Sequence, residues 1–337
     1  MVNVGIIGAT GYTALELIKL LLRHPNAKIN CVTSRENIGQ PISKVHPQLR
    51  DRLKIDFEEF KIAVVADKID FAFCCLPHAA SAESVMHLRK HGIKVVDFSA
   101  DYRLSSKALY EQWYNVVHPD PESFGKVPYG LPEFFKNEII EADLVANPGC
   151  FPTSAILGIA PLVDEGLIEP TGIIVDSKTG VSGAGRKAKL PFHFPECNES
   201  TFAYNVGCHR HQPEISDIVA RSVGQVIDCL FTPHLIPMDR GILSTIYANL
   251  ADKDLDESVL IECLKSRYAD SPFVRITNDL PSTKDVSGTN FCDITVRVNH
   301  GRAIIVSCLD NLIKGASGAA VQNFNLMNKF DETLALI

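Results

Sequence analysis

Cys150 is the residue best placed to do chemistry. It ends the segment Asn147-Pro148-Gly149-Cys150, after a short apolar run from Asp143 to Ala146 and before a helical pattern from about Thr153 to Glu165. A helix N-terminus carries partial positive charge. It therefore favours a thiolate over a thiol, and the thiolate is the form that attacks a carbonyl carbon. The chain has ten cysteines, and the others lack this setting. Cys74 and Cys75 lie in or at the end of an apolar run and read as core. Cys208 projects from a loop with no helix start behind it.

A nucleophilic cysteine needs a group to handle protons and charge. The segment Cys208-His209-Arg210-His211-Gln212-Pro213-Glu214 sets two histidines beside an arginine. One histidine is expected to serve as acid/base, and the spacing does not say which. Zinc is the alternative for Cys208, His209 and His211, but a fourth ligand is missing at the usual spacing, so no metal is expected. His78, in Cys75-Leu76-Pro77-His78, falls at the end of another apolar strand. It either lines a nicotinamide site or caps the next helix.

Gly8-x-x-Gly11-x-x-Ala14 follows a strand pattern and opens a helix pattern. In that context a glycine loop reads as a dinucleotide site. Gly8 allows the tight turn, Gly11 lets backbone approach a pyrophosphate, and Ala14 is small enough for close helix packing. An acidic residue at the end of the second strand would select NAD through the ribose 2′-OH. Here the strand ends Val32-Thr33-Ser34-Arg35. A hydroxyl and a guanidinium suit a 2′-phosphate, so NADP(H) is expected.

These residues need elements to hold them. Val2 to Ile7, Lys28 to Val32, Asp70 to Leu76, Lys94 to Phe98 and Asp143 to Ala146 read as strands. They alternate with helical stretches such as Leu15 to Arg23 and Ser81 to His91. That rhythm predicts a Rossmann-type parallel sheet with helices on both faces, an α/β domain over about residues 1–149. After Cys150 strands dominate: Ile173 to Lys178, Cys229 to Pro233, Leu243 to Leu250, Phe291 to Val298 and Ala303 to Cys308. Period-two alternation there predicts an α+β mixed-sheet catalytic domain over 150–314. Ala316 to Met327 reads as a helix, and 315–337 is expected to complete the first domain.

At 337 residues the chain is long enough for two domains, and 46% of it is apolar. The net charge of −7 argues against nucleic acid or an anionic membrane as partner. No apolar run reaches the ~20 residues that span a bilayer. Met1 leads directly into the first strand with no secretory pattern, so a cytoplasmic protein with reduced cysteines is expected.

Together these segments resemble the N-acetyl-γ-glutamyl-phosphate reductases, relatives of aspartate-semialdehyde dehydrogenase. The likeness spans nearly the whole chain. It is carried by Gly8-Ala9-Thr10-Gly11-Tyr12-Thr13, Cys75-Leu76-Pro77-His78, Asp97-Phe98-Ser99-Ala100-Asp101-Tyr102-Arg103, Tyr129-Gly130-Leu131-Pro132-Glu133, Asn147-Pro148-Gly149-Cys150-Phe151-Pro152-Thr153, Ser182-Gly183-Ala184-Gly185-Arg186, His209-Arg210-His211-Gln212-Pro213-Glu214 and Lys314-Gly315-Ala316-Ser317-Gly318. Two small departures are Ala14 and Ser154, where that family usually has Gly, and Gly or Ala.

The resemblance implies reductive dephosphorylation of an acyl phosphate. Cys150 would form a thioester, NADPH would reduce it, and N-acetylglutamate 5-semialdehyde and phosphate would leave, as a step of arginine biosynthesis. His209 is the preferred acid/base on this ground, with His211 second. NADP(H) would be held by Gly8, Thr10, Gly11, Tyr12, Thr13, Ser34, Arg35, Pro77, Ser182 and Gly183. Arg103, Arg186, Arg210 and Asn147 would bind substrate. A homo-oligomer, dimer or tetramer, is implied as well. A reductase for a longer aminoadipate-type acyl phosphate would use the same residues. A cysteine hydrolase would have no use for the glycine loop, and an inactive NADPH sensor would have none for Cys150 with its histidine pair.

Overall fold

The structure is a computed structural model and describes all residues 1–337. Twelve strands run in chain order: β1 (Val2–Ile7), β2 (Ala27–Val32), β3 (Phe71–Cys74), β4 (Lys94–Asp97), β5 (Leu144–Ala146), β6 (Ile173–Thr179), β7 (Phe202–Ala203), β8 (Cys229–Leu235), β9 (Ile242–Asn249), β10 (Val274–Ile276), β11 (Cys292–Asn299) and β12 (Arg302–Leu309). The helices of eight or more residues are α1 (Tyr12–Leu21), α2 (Ala82–Lys90), α3 (Lys107–Tyr114), α4 (Pro132–Ile140), α5 (Cys150–Asp164), α6 (His211–Val223), α7 (Glu257–Arg267) and α8 (Gly318–Met327). They form two compact units, Met1–Pro148 with Ala316–Ile337, and Gly149–Gly315.

The first unit is built on a five-stranded sheet in the order β2-β1-β3-β4-β5, parallel throughout. Such strands are covered on both faces and so read as apolar runs. Ile6, Ile7, Phe71, Phe73, Val95 and Val145 are all fully buried. The chain leaves β1 for β2 on one side and returns to β3 on the other. The open end between β1 and β3 is thus a topological switch point, where α/β sheets bind ligands. The C-terminal helix α8 belongs to this unit and packs on α1, α4 and β4. Its Phe324 ring stands edge-on to Phe71 at 4.8 Å.

The second unit has a seven-stranded mixed sheet, β10-β11-β12-β9-β6-β8-β7. Alternate residues of β6, β8 and β9 are buried, the signature of a sheet with one covered face. Helix α5 lies on β9 and β12 and against α6 and α7. It is buried along nearly its whole length. The unusual Ser154 is accommodated within it. Its hydroxyl meets the Ser244 and Ser307 hydroxyls at 2.9 and 3.1 Å, so no polar group is stranded in the core.

The two units divide one residue from the expected bounds on each side, with Gly149 and Gly315 in the second. The Gly149 N–H is bonded to Glu214, and the Gly315 backbone lies against Cys150. Helix α5 also starts at Cys150, three residues ahead of the expected Thr153. Pro152 stands in its first turn, where its missing N–H would have had no intrahelical partner. Pro213 stands likewise in the first turn of α6.

Candidate active site

Cys150 is the first residue of α5, with Gly149 as N-cap. Two contacts fix this start. The Gly149 N–H donates to Glu214 Oε1 at 2.9 Å, and Glu214 is 1% exposed. Glu214 sits in the first turn of α6, so one carboxylate ties the start of α6 to the start of α5. On the other side a Cβ at Gly315 would fall 2.8 Å from Cys150 Cβ and 3.1 Å from its Cα, so no side chain fits there. Gly315 lies in a π-helical turn, Ile313–Ser317, and its N–H donates to Asp310 O at 2.9 Å. Such wide turns are frequent at functional sites.

The Asp310 carboxylate organises this turn. Oδ1 accepts from the Leu312 and Ile313 N–H groups, and Oδ2 accepts from Gly288 N–H at 2.6 Å and Arg240 Nη1 at 3.3 Å. Asn311 next to it accepts from Gly241 N–H at 2.7 Å and donates to Ser182 Oγ at 3.1 Å. Three loops of the second unit, around residues 182, 240 and 312, are locked together in this way. Ser182 is buried within that lock, and Gly183 is exposed.

His209 stands in a cage of rings. Its centroid lies 4.8 Å from His211, 5.2 Å from Phe231, 5.6 Å from Tyr204 and 5.8 Å from Phe151, the residue after Cys150. The His211 N–H donates to His209 Nδ1 at 3.1 Å. Burial, helped by the neighbouring Arg210 charge, pushes His209 down to about 4. The Tyr204 phenol is pushed up by burial and then by negative charge on Cys150. Burial also raises Cys31, Cys74, Cys75, Cys229, Cys263 and Cys308, so these thiols are poor nucleophiles. Arg186 and Arg210 are both exposed. Arg210 immediately precedes α6.

In the first unit Gly8 has φ +86, and a Cβ there would strike Cys75 O at 2.9 Å and Leu76 Cδ2 at 2.8 Å. Only glycine allows β1 to turn so close to the end of β3. The Gly8 and Ala9 N–H groups are tied to Thr33. Thr10, Gly11, Tyr12 and Thr13 then lead into α1. This helix has no side-chain cap and no acidic residue in its first turn. Its N-terminal backbone donors suit the pyrophosphate of NADP(H). Pro77 is exposed on the β3 side of the same switch point. Ser34 is buried, and its Oγ accepts from Glu36 N–H, Asn37 N–H and Asn37 Nδ2. Arg35 beside it is exposed.

The loop after β3 is held from beneath by acids. Asp101 accepts from the Ala79, Ser81 and Ala82 N–H groups and from Tyr110 Oη. Asp97 accepts from the Ser81 and Ser99 hydroxyls, each at 2.6 Å, and burial beside Asp101 pushes it up to about 6. His78 Nδ1 accepts from Ala100 N–H at 3.0 Å. Arg103 is buried, donating to Asn147 O at 2.8 Å and Phe98 O at 2.7 Å. Asn147 donates to Ala316 O and accepts from Asn323. Both residues thus brace the first unit's backbone. Sequence reasoning gave no role to Tyr204, Glu214, Asp310, Asn311 or Gly315. Glu214 and Gly315 stood in segments already singled out, whereas Tyr204 carried no pattern at all.

Comparison with known proteins defines the class first. Residues 3–142 match the semialdehyde dehydrogenase NAD-binding domain, and residues 150–311 match the semialdehyde dehydrogenase dimerisation domain. The fold agrees with aspartate semialdehyde dehydrogenase II from Vibrio cholerae in complex with ASA, at a TM-score of 0.73, 18% identity and 98% coverage of both chains. It also agrees with the aspartate semialdehyde dehydrogenase with NADP from Candida albicans, at a TM-score of 0.68, 15% identity and coverage of 97% of this chain and 98% of that one. The chain belongs to the N-acetyl-γ-glutamyl-phosphate reductase family. It is 53% identical to the reductase of that name from Rhodopirellula baltica, over 99% of this chain and 98% of the relative. Identity to the one from Desulforudis audaxviator is 47%, over 100% and 98%.

Proposed function

We propose that this chain reduces N-acetyl-γ-glutamyl phosphate to N-acetylglutamate 5-semialdehyde, with NADPH as reductant, in arginine biosynthesis. The observation that carries this reading is the start of α5. It presents Cys150 at a helix N-terminus, braced by Glu214 and Gly315, with the histidine pair against Phe151, the next residue.

Negative charge on Cys150 Sγ is favoured at the helix start. The sulfur attacks the acyl carbon, a C–S bond forms, the C–O bond to phosphate breaks, and phosphate leaves with the bonding pair. Gly8, Thr10, Gly11, Tyr12 and Thr13 hold the cofactor's pyrophosphate, Ser34 and Arg35 its 2′-phosphate, and Pro77 faces it across the switch point. Bound NADPH supplies the hydride that reduces the thioester carbon. The hemithioacetal oxyanion left on Cys150 collapses, the C–S bond breaks, and aldehyde and thiolate separate. The histidine pair serves the oxygen and proton traffic of these steps. Arg186 and Arg210 offer exposed guanidinium groups to the substrate's carboxylate and phosphate. Ser182 and Gly183 shape the locked loop of the second unit. Arg103 and Asn147 are further candidates for holding the substrate, alongside the backbone contacts they make.

A second copy of the chain is the partner best suited to the uncovered face of the seven-stranded sheet. A cross-strand row of Leu230, Ile174, Tyr247 and Ile304 runs along it, with Leu230 53% and Ile174 37% exposed. The match to a dimerisation domain supports this. No helix is long and apolar enough to cross a membrane. Ten free cysteines, one of which must stay reduced to work, suit the cytoplasm.

The test is the reverse reaction, followed as NADP+ reduction. N-acetylglutamate semialdehyde is expected to be oxidised only when phosphate is present. Reduction of NADP+ without phosphate, or faster reaction with the aminoadipate semialdehyde, would overturn the assignment.

A further inference from the structure

We propose that His46 is a positioning residue for the dinucleotide. Its ring holds the Ala9 carbonyl inside the first unit, so that the turn from Gly8 to Gly11 offers N–H groups, and not a carbonyl oxygen, to the pyrophosphate. This rests on the reading of that turn as the NADPH site. The contact that carries it runs from His46 Nε2 to Ala9 O at 2.9 Å, between residues 37 apart in sequence. A peptide carbonyl can only accept, so Nε2 carries the proton and donates.

Three histidines are buried in the first unit, His24, His46 and His118. His24 pairs with the Asn325 side chain of α8, and His118 lies among the rings of Tyr102, Tyr110 and Phe124. His46 instead grips the backbone of the glycine turn. The grip is firm at both ends. His46 N–H donates to Ile42 O and His46 O accepts from Leu49 N–H, each at 2.9 Å, and Ile42 and Leu49 are fully buried. Across the contact, Gly8 N–H donates to Thr33 Oγ1 at 3.0 Å and Ala9 N–H to Thr33 O at 2.9 Å. Ala9, itself fully buried, is thus held through both its N–H and its C=O.

The peptide between Ala9 and Thr10 is trans. In such a plane the C=O and the following N–H point opposite ways. With the Ala9 carbonyl turned inward onto His46, the Thr10 N–H is turned outward. Thr10 and Gly11 are partly exposed there, and α1 begins at the next residue. A flipped plane would set the oxygen's partial negative charge against the phosphates. The plane as held adds a donor to those of the helix start. Ser34 and Arg35 concern the 2′-phosphate, whereas His46 acts on the pyrophosphate, which NADPH and NADH share.

Binding measurements separate this role from a merely structural one. His46→Met cannot donate, while His46→Gln places an amide N–H near the position of Nε2–H. His46→Met should weaken NADPH and NADH by the same factor, about ten- to a hundredfold in fluorescence titration. The affinity for 2′-AMP, which has the 2′-phosphate and no pyrophosphate, should stay within about twofold. His46→Gln should return NADPH affinity to within about threefold of wild type. Acylation of Cys150 without cofactor should match wild type in both variants. Unchanged NADPH affinity in His46→Met, a loss for NADPH alone, an equal loss for 2′-AMP, or a folded His46→Gln as weak as His46→Met would overturn the proposal. If His46→Met does not fold, nitrogen-15 labelling of the histidine rings decides it in wild type, with the His46 signal assigned by its loss in His46→Gln. An Nε2–H tautomer whose signal moves on adding NADP+ is expected; an Nδ1–H tautomer, or a signal that NADP+ leaves in place, would contradict it. Wild type that acylates Cys150 and binds neither NADPH nor 2′-AMP would remove the cofactor reading of the turn. Wild type that binds both, with His46→Met binding NADPH equally well, would remove only the role of His46.

Discussion

Two strand-to-helix turns in this chain look alike in sequence and are built in opposite ways. The Gly8 turn between β1 and α1 is defined by missing side chains. Gly8 lies against Cys75 O, no side chain caps the helix, and no acid occupies its first turn. Backbone donors remain as the chemistry of the place, which suits a diffusible anion. The Gly149 turn before α5 is crowded. Glu214 takes the Gly149 N–H, Gly315 presses on Cys150, and rings close around His209. The chemistry proposed for it is one covalent atom held in one position. A glycine before a helix therefore does not distinguish cofactor binding from catalysis. What packs against it does.

Substitutions can break either side of this contrast. The largest effect is expected for Cys150→Ser, which should reduce turnover by at least about a thousandfold, since a serine hydroxyl is hardly ionised at neutral pH. NADPH affinity, measured by fluorescence titration, should change less than about twofold. Gly315→Ala drives a Cβ to within 2.8 Å of Cys150 Cβ. Misplacing a nucleophile by about 1 Å costs about a hundredfold in rate, so kcat should fall by that order while NADPH binding persists. At the other turn Arg35→Ala should weaken NADPH by about ten- to a hundredfold and leave NADH unchanged, because a charge-assisted bond to phosphate contributes about 1.5–3 kcal/mol. Equal losses for both cofactors would remove Arg35 from the 2′-phosphate site.

The geometry of the Gly8 turn was legible in the sequence, because Gly8 and Gly11 act through local backbone and spacing. The setting of Cys150 before a helix was legible for the same reason, although the helix starts three residues ahead of its pattern. The supports of Cys150 were not. Glu214 is 65 residues from Gly149, and Gly315 is farther still. Nothing local announces that either will touch the cysteine. Tyr204 reaches the site from a loop with no periodicity. Arg103 and Asn147, polar residues in motif segments, also donate to backbone inside the first unit, contacts that no local pattern announces.

Smaller effects sharpen the comparison. Glu214→Ala leaves the buried Gly149 N–H without its partner, an expected loss of about 1–3 kcal/mol of stability. Glu214→Gln keeps an acceptor oxygen and should recover most of it, as thermal unfolding would measure. If both variants match wild type, Glu214 does not brace the turn. Asp97 gives the smallest effect and a defined sign. Its pKa is pushed up to about 6 in the fold, above the ordinary carboxylate value, so the folded state holds the proton more tightly. This contribution is fully present below about pH 4 and is lost as pH rises through about 6. Asp97→Asn should therefore flatten the dependence of stability on pH in that window. An unchanged slope in urea unfolding at pH 4.5 and 6.5 would count against a raised Asp97.

Cys150 acylation tests the central claim most directly. The enzyme is mixed with N-acetyl-γ-glutamyl phosphate in the absence of NADPH, quenched in acid and mapped by mass spectrometry, with released phosphate measured in parallel. The expected result is one acyl group per chain on the Cys150 peptide and one phosphate released with it, the acyl group alone being cleared when NADPH is added before the quench. An acyl group on another residue, or no covalent adduct and no phosphate burst from an enzyme that turns over normally, would contradict the thioester and the role given to the α5 start.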